Sequence, residues 1–222
     1  MSTIIETKPN FSNSSATKFW RAGVVVLCLV GLTFFSGCVS RGHTFSYPAA
    51  ANLELRQLAL SEYRSVFRES PNAVSQQINA NGKYDIVQYR YVHATLVTIK
   101  TRALFLEFKD GKLNAYVHAS NFESETTLAP MNKINQLKRG ESTKAEVFKL
   151  LGKPNGKALC PSTLADFKDK CDGNSEIWTW QSIGSQPNNG TRTKRPSAIR
   201  LFVTFNQTGL VKEIETESFL EP

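Results

Sequence analysis

The spacing of apolar residues predicts two stretches that each begin with a helix and continue with three strands. Between Leu53 and Phe67, apolar positions recur at three- and four-residue steps, which places them on one face of a helix that ends before Pro71. Three runs rich in β-branched and aromatic residues follow, and Asp110-Gly111 predicts a hairpin turn between the last two. The strands expected are Tyr84–Ala94, Arg102–Phe108 and Lys112–Ala119.

The second stretch contains a short helix with signals at both ends. Thr143 and Glu146 have the spacing of a capping box, in which each side chain accepts a hydrogen bond from the other residue's backbone N–H. Gly152 suits a helix C-terminus, and Pro154 prevents the helix from continuing. The strands expected after it are Glu176–Ile183, Ala198–Asn206 and Leu210–Glu217.

The two stretches align when the first is displaced by 97 positions. We interpret this as two copies of one helix-and-three-strand unit. Any two amphipathic hairpins share much of such a pattern, so chance similarity remains the alternative. This displacement sets Leu104–Phe108 on Leu201–Phe205 and Leu113 on Leu210. Upstream, Val66–Arg68 is set on Val147–Lys149, at the shorter displacement of 81.

Residues 1–37 have the layout of an export signal: a polar start with basic residues, the apolar run 22–35, and small residues before a cysteine. The apolar run is shorter than the ~20 residues that span a bilayer, so a permanent transmembrane helix is the weaker alternative. Phe35-Ser36-Gly37-Cys38 resembles a bacterial lipobox, with Phe where Leu is commonest. The resemblance implies cleavage before Cys38 and a covalent lipid on its thiol. Val39 in place of Asp implies sorting to the outer membrane.

The chain is basic, but its charge does not indicate nucleic-acid binding. It has 222 residues and a formal net charge of +8; three basic residues and Glu6 leave with the leader, so the mature chain carries +6. A composition of 41% hydrophobic and 21% charged residues is typical of a folded globular protein. Because the basic residues are scattered and an exported lipoprotein does not meet the nucleoid, no nucleic-acid partner is expected.

Cys160 and Cys171 lie in an insert at 158–175 and are expected to form a disulfide, since an oxidising envelope favours pairing across a loop of this size. A redox-active pair would favour Cys-x-x-Cys, and a zinc site would need more ligands than the nearby carboxylates. We therefore expect no metal, and no cofactor other than the lipid on Cys38. Cys28 lies in the leader.

Two further groups are candidates for binding. Arg192, Lys194 and Arg195 share a polar loop, which is either a solvated hairpin tip or a contact for lipid headgroups or an acidic protein. Trp178 and Trp180 alternate on one strand and give it an aromatic face. That face either packs in the core under a helix or is an exposed recognition surface.

The sequence contains no recognisable catalytic constellation. Motifs for metalloproteases, serine hydrolases and phosphate-binding loops are absent from it. His93 and His118 are interpreted as exposed histidines of a sheet. We therefore expect no enzyme activity.

Residues 131–217 resemble the SmpA/OmlA (BamE-like) family of small bacterial envelope lipoproteins. The matching residues are Gly140, Thr143, Glu146, Val147, Leu151, Gly152 and Pro154, then Trp178 and Trp180 in a strand before a closing hairpin. The resemblance implies two helices that cover a three-stranded antiparallel sheet. Members of the family are non-enzymatic accessory subunits, the best known in the machine that inserts β-barrels into the outer membrane. Two units and a long insert depart from that pattern.

These observations predict an α+β protein with a signal peptide at 1–37, a tether at 38–52, and two tandem BamE-like units at 53–125 and 131–222. Each unit would have helices packed on a three-stranded antiparallel sheet. The expected function is that of a lipid-anchored, periplasm-facing outer-membrane protein that binds an envelope protein, in outer-membrane protein assembly or envelope integrity. The alternative is a periplasmic ligand-binding or enzyme-inhibitor-like lipoprotein, because such sheets also occur in secreted inhibitors.

Overall fold

A computed structural model describes residues 39–95, 98–125, 131–187 and 194–220. Within these ranges the strands form one nine-stranded antiparallel sheet, and it includes all six strands predicted from the sequence. The strands are β1 (Val39–Gly42), β2 (Ala73–Asn79), β3 (Gly82–Ala94), β4 (Ile99–Lys109), β5 (Lys112–Ser120), β6 (Gly156–Leu159), β7 (Glu176–Pro187), β8 (Lys194–Phe205) and β9 (Val211–Leu220).

The helical elements are short. They are α1 (Tyr47–Ala51), α2 (Tyr63–Phe67), α3 (Lys144–Leu151) and α4 (Ala165–Lys168), with 3₁₀ turns at Glu123–Glu125 and Met131–Gln136. Helices of this length are unstable in isolation, so their packing on the sheet must hold them. In the part of the chain that is described, no helix is long and apolar enough to cross a membrane.

The sheet has two edges and two faces. Its strand order is β1-β3-β4-β5-β6-β7-β8-β9, and β2 pairs with the first part of β3, so β1 and β2 share one edge. Side chains along each strand alternate between the faces. We call the face that α1, α2 and α3 pack against the helix face, and the opposite one the open face.

In the first half of the sheet, α2 buries two aromatic side chains on the helix face. The Phe67 and Tyr89 ring centroids are 5.6 Å apart, and those of Tyr63 and Phe108 are 6.1 Å apart. Fully burying a side chain of this size contributes roughly 1.5–3 kcal/mol. Much of the attachment of this five-residue helix therefore comes from these two rings.

In the second half, α3 packs Val147 and Leu151 against a core that includes Trp180 and Phe205. The helix begins with the predicted capping box, which is confirmed. Thr143 Oγ1 accepts a hydrogen bond from the Glu146 backbone N–H, and the Glu146 carboxylate accepts one of 2.7 Å from the Thr143 backbone N–H.

The two halves repeat one hydrogen-bonding arrangement. The β4–β5 hairpin has a bulge after Glu107, and the β8–β9 hairpin has one after Thr204. Just past each turn, one residue exchanges backbone hydrogen bonds of 2.7–2.9 Å with the segment that leads into the helix. These contacts join Leu113 to Arg56 and Leu58, and Val211 to Gly140 and Ser142.

The structure corrects the alignment of the two halves. Leu113 is equivalent to Val211, not to Leu210, because the second hairpin turn is one residue longer than the first. Upstream, Ala59 and Thr143 form equivalent bridges to β5 and to the second hairpin. Counting from these bridges, Phe67 is equivalent to Leu151 rather than to Phe148.

The predicted fold class, two tandem BamE-like units that each have their own three-stranded sheet, is wrong. β6 pairs with β5 on one side and with β7 on the other, which joins the halves into one sheet. Gly156 permits the close approach, since a Cβ there would lie 2.7 Å from the Tyr116 carbonyl oxygen. The helix predicted from Leu53 is reduced to α2, and β2 follows it.

Residues 39–52, interpreted from the sequence as a tether, contain β1 and α1. The boundaries at 53–125 and 131–222 remain sequence-based predictions.

His118 of β5 is buried on the helix face, although the sequence indicated an exposed residue. Only 4% of it is exposed, and its ring lies edge-on to Tyr47 with a centroid distance of 5.3 Å. Burial lowers the pKa of His118 to about 4, and the nearby Lys153 cation contributes further. The imidazole is therefore neutral in the folded protein at neutral pH.

We expect this histidine to make stability depend on pH. As pH falls, His118 is protonated near pH 6.5 in the unfolded chain but only near pH 4 in the folded protein. The free energy of unfolding should therefore fall by about 3 kcal/mol across that window. Urea denaturation at several pH values measures it, and His118→Gln should remove most of the loss. An unchanged pH dependence in the variant would contradict this assignment.

Candidate protein-binding face

The insert between β6 and β7 folds back over the centre of the open face. Leu164 and Phe167 are buried there against residues from both halves of the sheet, which include Val117, Ile177 and Phe202. Each buried side chain of this kind contributes roughly 1.5–3 kcal/mol. The insert is therefore part of the core, and it covers one part of the open face.

The predicted disulfide between Cys160 and Cys171 is confirmed, and their Cα atoms are 5.3 Å apart. It closes a loop with a sequence separation of 11 residues. In the chain-entropy description, a cross-link of this size stabilises the folded state by about 3 kcal/mol. It holds the two ends of the insert together on the sheet.

Glu107 of β4 joins the insert to the first half of the sheet. Its side chain is fully buried. The carboxylate accepts hydrogen bonds of 2.6 Å from both the backbone N–H and the hydroxyl of Thr163, one of 3.2 Å from the Leu164 N–H, and one of 2.7 Å from Asn114 Nδ2. Because a buried carboxylate without donors is strongly unfavourable, these contacts fix the position of the insert.

Ion pairs hold the opposite side of the insert to β8 and β9. Lys170 Nζ lies 2.6 Å from the carboxylates of both Glu215 and Glu217, and 4.5 Å from the centre of the Phe202 ring. The Asp166 Oδ1 atom lies 3.2 Å from the Arg200 Nη1 atom. Pairs of this kind orient a segment more than they stabilise it.

The part of the open face beside the insert remains bare, and we call it the bare face. It is formed by β1, β3, β4 and the end of β5. Val92 and Ile99 are exposed, by 36% and 65%, while Ile86 and Phe105 are half-buried. The exposed Arg90 guanidinium lies 6.0 Å from the centre of the Phe105 ring. Arginine beside aromatic and aliphatic side chains is the composition of protein-binding hot spots.

The charges of the bare face have one sign. The strand register places Arg41 and Arg90 on this side of the sheet. Lys109 points the same way, from the end of β4 beside the insert. Among the described residues of β1–β5 that point the same way, the only carboxylate is Glu107, and the insert binds it. The bare face therefore complements an acidic surface.

Trp178 and Trp180 point to the helix face. They are 6% and 0% exposed, and Trp178 packs edge-on against Phe205 with a ring centroid distance of 4.9 Å. They belong to the core under α3, so the exposed recognition surface considered for them is not present at these residues.

Several predicted site residues lie outside the described residues. These include Cys38 and Arg192, so the lipid and the full basic cluster remain predictions. Lys194 and Arg195 are described only as backbone positions of β8, opposite Pro187 and Gln186. No group of three or more metal-ligating side chains occurs in the described ranges.

A cavity of about 390 Å³ opens beside Lys157 and Leu159. Charged side chains dominate its lining, and the Lys157 ammonium lies 2.6 Å from the Glu54 carboxylate. A small-molecule pocket is usually mostly apolar with a few polar groups. This charged opening gives little support to the ligand-binding alternative.

The sequence did not indicate the bare face, nor the role of Glu107 in fixing the insert beside it. The useful signal was Glu107, a lone carboxylate within the apolar run Leu104–Phe108 of a central strand. A charge at such a position is buried with partners or points to solvent. Thr163 and Leu164, which supply most of its hydrogen bonds, lie more than fifty residues later in the insert, so no local pattern indicates them.

Comparison with known proteins does not assign a family. No protein-family model matches the chain, and no curated protein matches it. A solved structure from Streptococcus mutans, provisionally described as a beta-lactamase inhibitor protein, is similar over 78% of this chain and 95% of its own, with 17% identity and a TM-score of 0.44. Similarity at this level does not assign a function.

Removing the Glu107 carboxylate should loosen the insert. Glu107→Ala removes the acceptor of the Thr163 backbone N–H and hydroxyl, so we expect a loss of about 3–5 kcal/mol in the free energy of unfolding. The Leu164 N–H and the Asn114 amide lose one acceptor each but keep others. Glu107→Gln keeps one acceptor oxygen and should lose less. Urea denaturation gives both values, and hydrogen exchange should show faster exchange of the Leu164 amide. The exposed Glu213→Ala is the control, within about 0.5 kcal/mol of the parent protein. A Glu107→Ala protein of parental stability would refute this role.

Proposed function

We propose that this chain is a non-enzymatic protein-binding module of the bacterial cell envelope, and that the bare face binds an acidic surface of another exported protein. The observation that carries the proposal is the exposed Arg90 beside Phe105, on a basic sheet surface that also exposes Val92 and Ile99. Apolar burial supplies affinity at such a surface, while the arginines favour acidic partners.

We infer that the binding is inhibitor-like, meaning that the face occupies a partner's surface as a rigid body. Three features support this: the continuous sheet behind the face, the disulfide-closed insert beside it, and the buried Glu107 that joins them. A surface that is ordered before binding loses little conformational entropy on association. A role in outer-membrane protein assembly is a separate proposal that rests on the resemblance of residues 131–217 to the SmpA/OmlA family.

We also propose that Cys38 carries a lipid that anchors the protein to the outer membrane, on the periplasmic side. Acyl chains contribute about 0.8 kcal/mol per buried CH₂, so several chains on one residue hold a protein firmly on a membrane. Val39, the next residue in the chain, is the first residue of β1.

Replacing the lipidated thiol tests the anchor. Cys38→Ala should move the protein from the membrane fraction to the soluble fraction, because the apolar run 22–35 of the leader is shorter than a membrane span. Fractionation of cells followed by mass spectrometry of the mature N-terminus measures this. Cys28→Ala is the matched control and should stay in the membrane with its lipid. A Cys38→Ala protein that remains in the membrane as an uncleaved precursor would show that residues 22–35 are the anchor.

Reversing the charge of Arg90 tests the bare face. With a photoreactive benzoylphenylalanine in place of Gln88, ultraviolet irradiation of intact cells should give a protein adduct that mass spectrometry identifies. Arg90→Glu should weaken the adduct by about tenfold or more, as expected for the loss of a hot-spot arginine.

Arg139→Glu, at an exposed position in the second half, is the matched control and should leave the yield unchanged. An adduct unaffected by Arg90→Glu, or one formed with lipid instead of protein, would contradict the proposal. Identification of the adduct also separates an inhibited enzyme from a component of the barrel-assembly machine.

A further inference from the structure

The outer edge of β2 has the features of a strand that pairs with another chain. Ala73–Asn79 is exposed along its whole length, and within the described residues β2 pairs only with β3. None of these residues is charged, and none is proline. Natural edge strands usually carry a lysine, a proline or a bulge that prevents such pairing.

The backbone groups of this edge are arranged for pairing. Ala80 and Asn81 connect β2 to β3, and Asn79 lies opposite Gly82. In a hairpin with a two-residue loop, the pair beside the turn exchanges backbone hydrogen bonds, and so does every second pair after it. The residues between them direct their N–H and C=O groups away from β3. These residues are Val74, Gln76 and Ile78.

The strand is also complementary to a second copy of itself. In an antiparallel pair centred on Gln76, Val74 of each copy lies opposite Ile78 of the other. The two side chains are 54% and 77% exposed in the single chain, and they share one face. Directly opposed apolar side chains stabilise antiparallel pairs. The outward backbone groups of all three residues find partners in the same register.

The other edge of the sheet does not offer this match. β9 carries Glu213, Glu215 and Glu217 on one face. Antiparallel pairing of two such strands would bring like charges together, which is unfavourable. The difference between the edges therefore favours β2 for self-association.

We propose that two copies of this chain associate through their β2 edges and form one continuous sheet. The two-fold axis of an antiparallel strand pair is perpendicular to the sheet, so both bare faces lie on the same side. The strand pair is a small interface, typical of weak association in dilute solution. The lipid anchor proposed at Cys38 would hold both copies on one membrane surface. This would raise their effective concentration and favour the pair.

A cysteine at the centre of the strand tests this arrangement in the full chain. In the proposed register, the Gln76 Cα atoms of the two copies lie ~5.5 Å apart, within the range that a disulfide bridges. Gln76→Cys should therefore give a covalent homodimer on mild oxidation of intact cells, read on a non-reducing gel. Asn79→Cys is the matched control: it is exposed on the same strand but ~20 Å from its counterpart. We expect a dimer yield at least about tenfold higher for Gln76→Cys than for Asn79→Cys.

Charge variants then test the register itself. Added to Gln76→Cys, Ile78→Lys should reduce the dimer band, and a further Val74→Glu should restore it by placing opposite charges across the pair. A Gln76→Cys band no stronger than that of Asn79→Cys would overturn the proposal. A cross-linked product that contains another polypeptide would overturn it too. Arg90→Glu should not change the yield, so this result is independent of the bare face.

Discussion

The buried carboxylate of Glu107 makes the contacts on which the arrangement of the open face depends. A charge at this depth is tolerated only with several donors, and most of its donors belong to the insert. The insert must therefore lie across the open face, where Leu164 and Phe167 complete a core with both halves of the sheet. Its position divides the open face into a covered part and the bare face.

A second constraint joins the halves of the molecule. β6 is only four residues long, yet it pairs with strands of both halves. A side chain at position 156 would collide with the Tyr116 carbonyl, so the joint requires glycine. With this joint in place, the insert rests on one continuous surface. Both halves have a bulge in the hairpin and backbone hydrogen bonds from Leu113 or Val211 to the segment before the helix. The helix is therefore attached to the sheet in the same way in each half.

How far the sequence predicted the structure depended on how local each signal was. All six expected strands are present, because a run of β-branched and aromatic residues favours a strand through its own local sequence. The capping box and the disulfide are also confirmed. The single sheet was missed because β6 has no β-branched residue to mark it as a strand. The alignment failed where the turn before Val211 gained one residue. Burial of His118 depends on Tyr47, seventy-one positions earlier, which no periodicity reveals.

The bare face is positively charged because the nearby carboxylates make contacts elsewhere. The mature chain carries only a moderate net charge, which would not by itself produce a basic surface. The insert, however, engages Glu107, Glu215 and Glu217. Within the described residues no carboxylate lies at ion-pair distance from Arg41 or Arg90. Both arginines are on the uncovered part of the open face, together with its apolar side chains. The use of acidic side chains by the insert, rather than the overall composition, therefore gives this face its basic character.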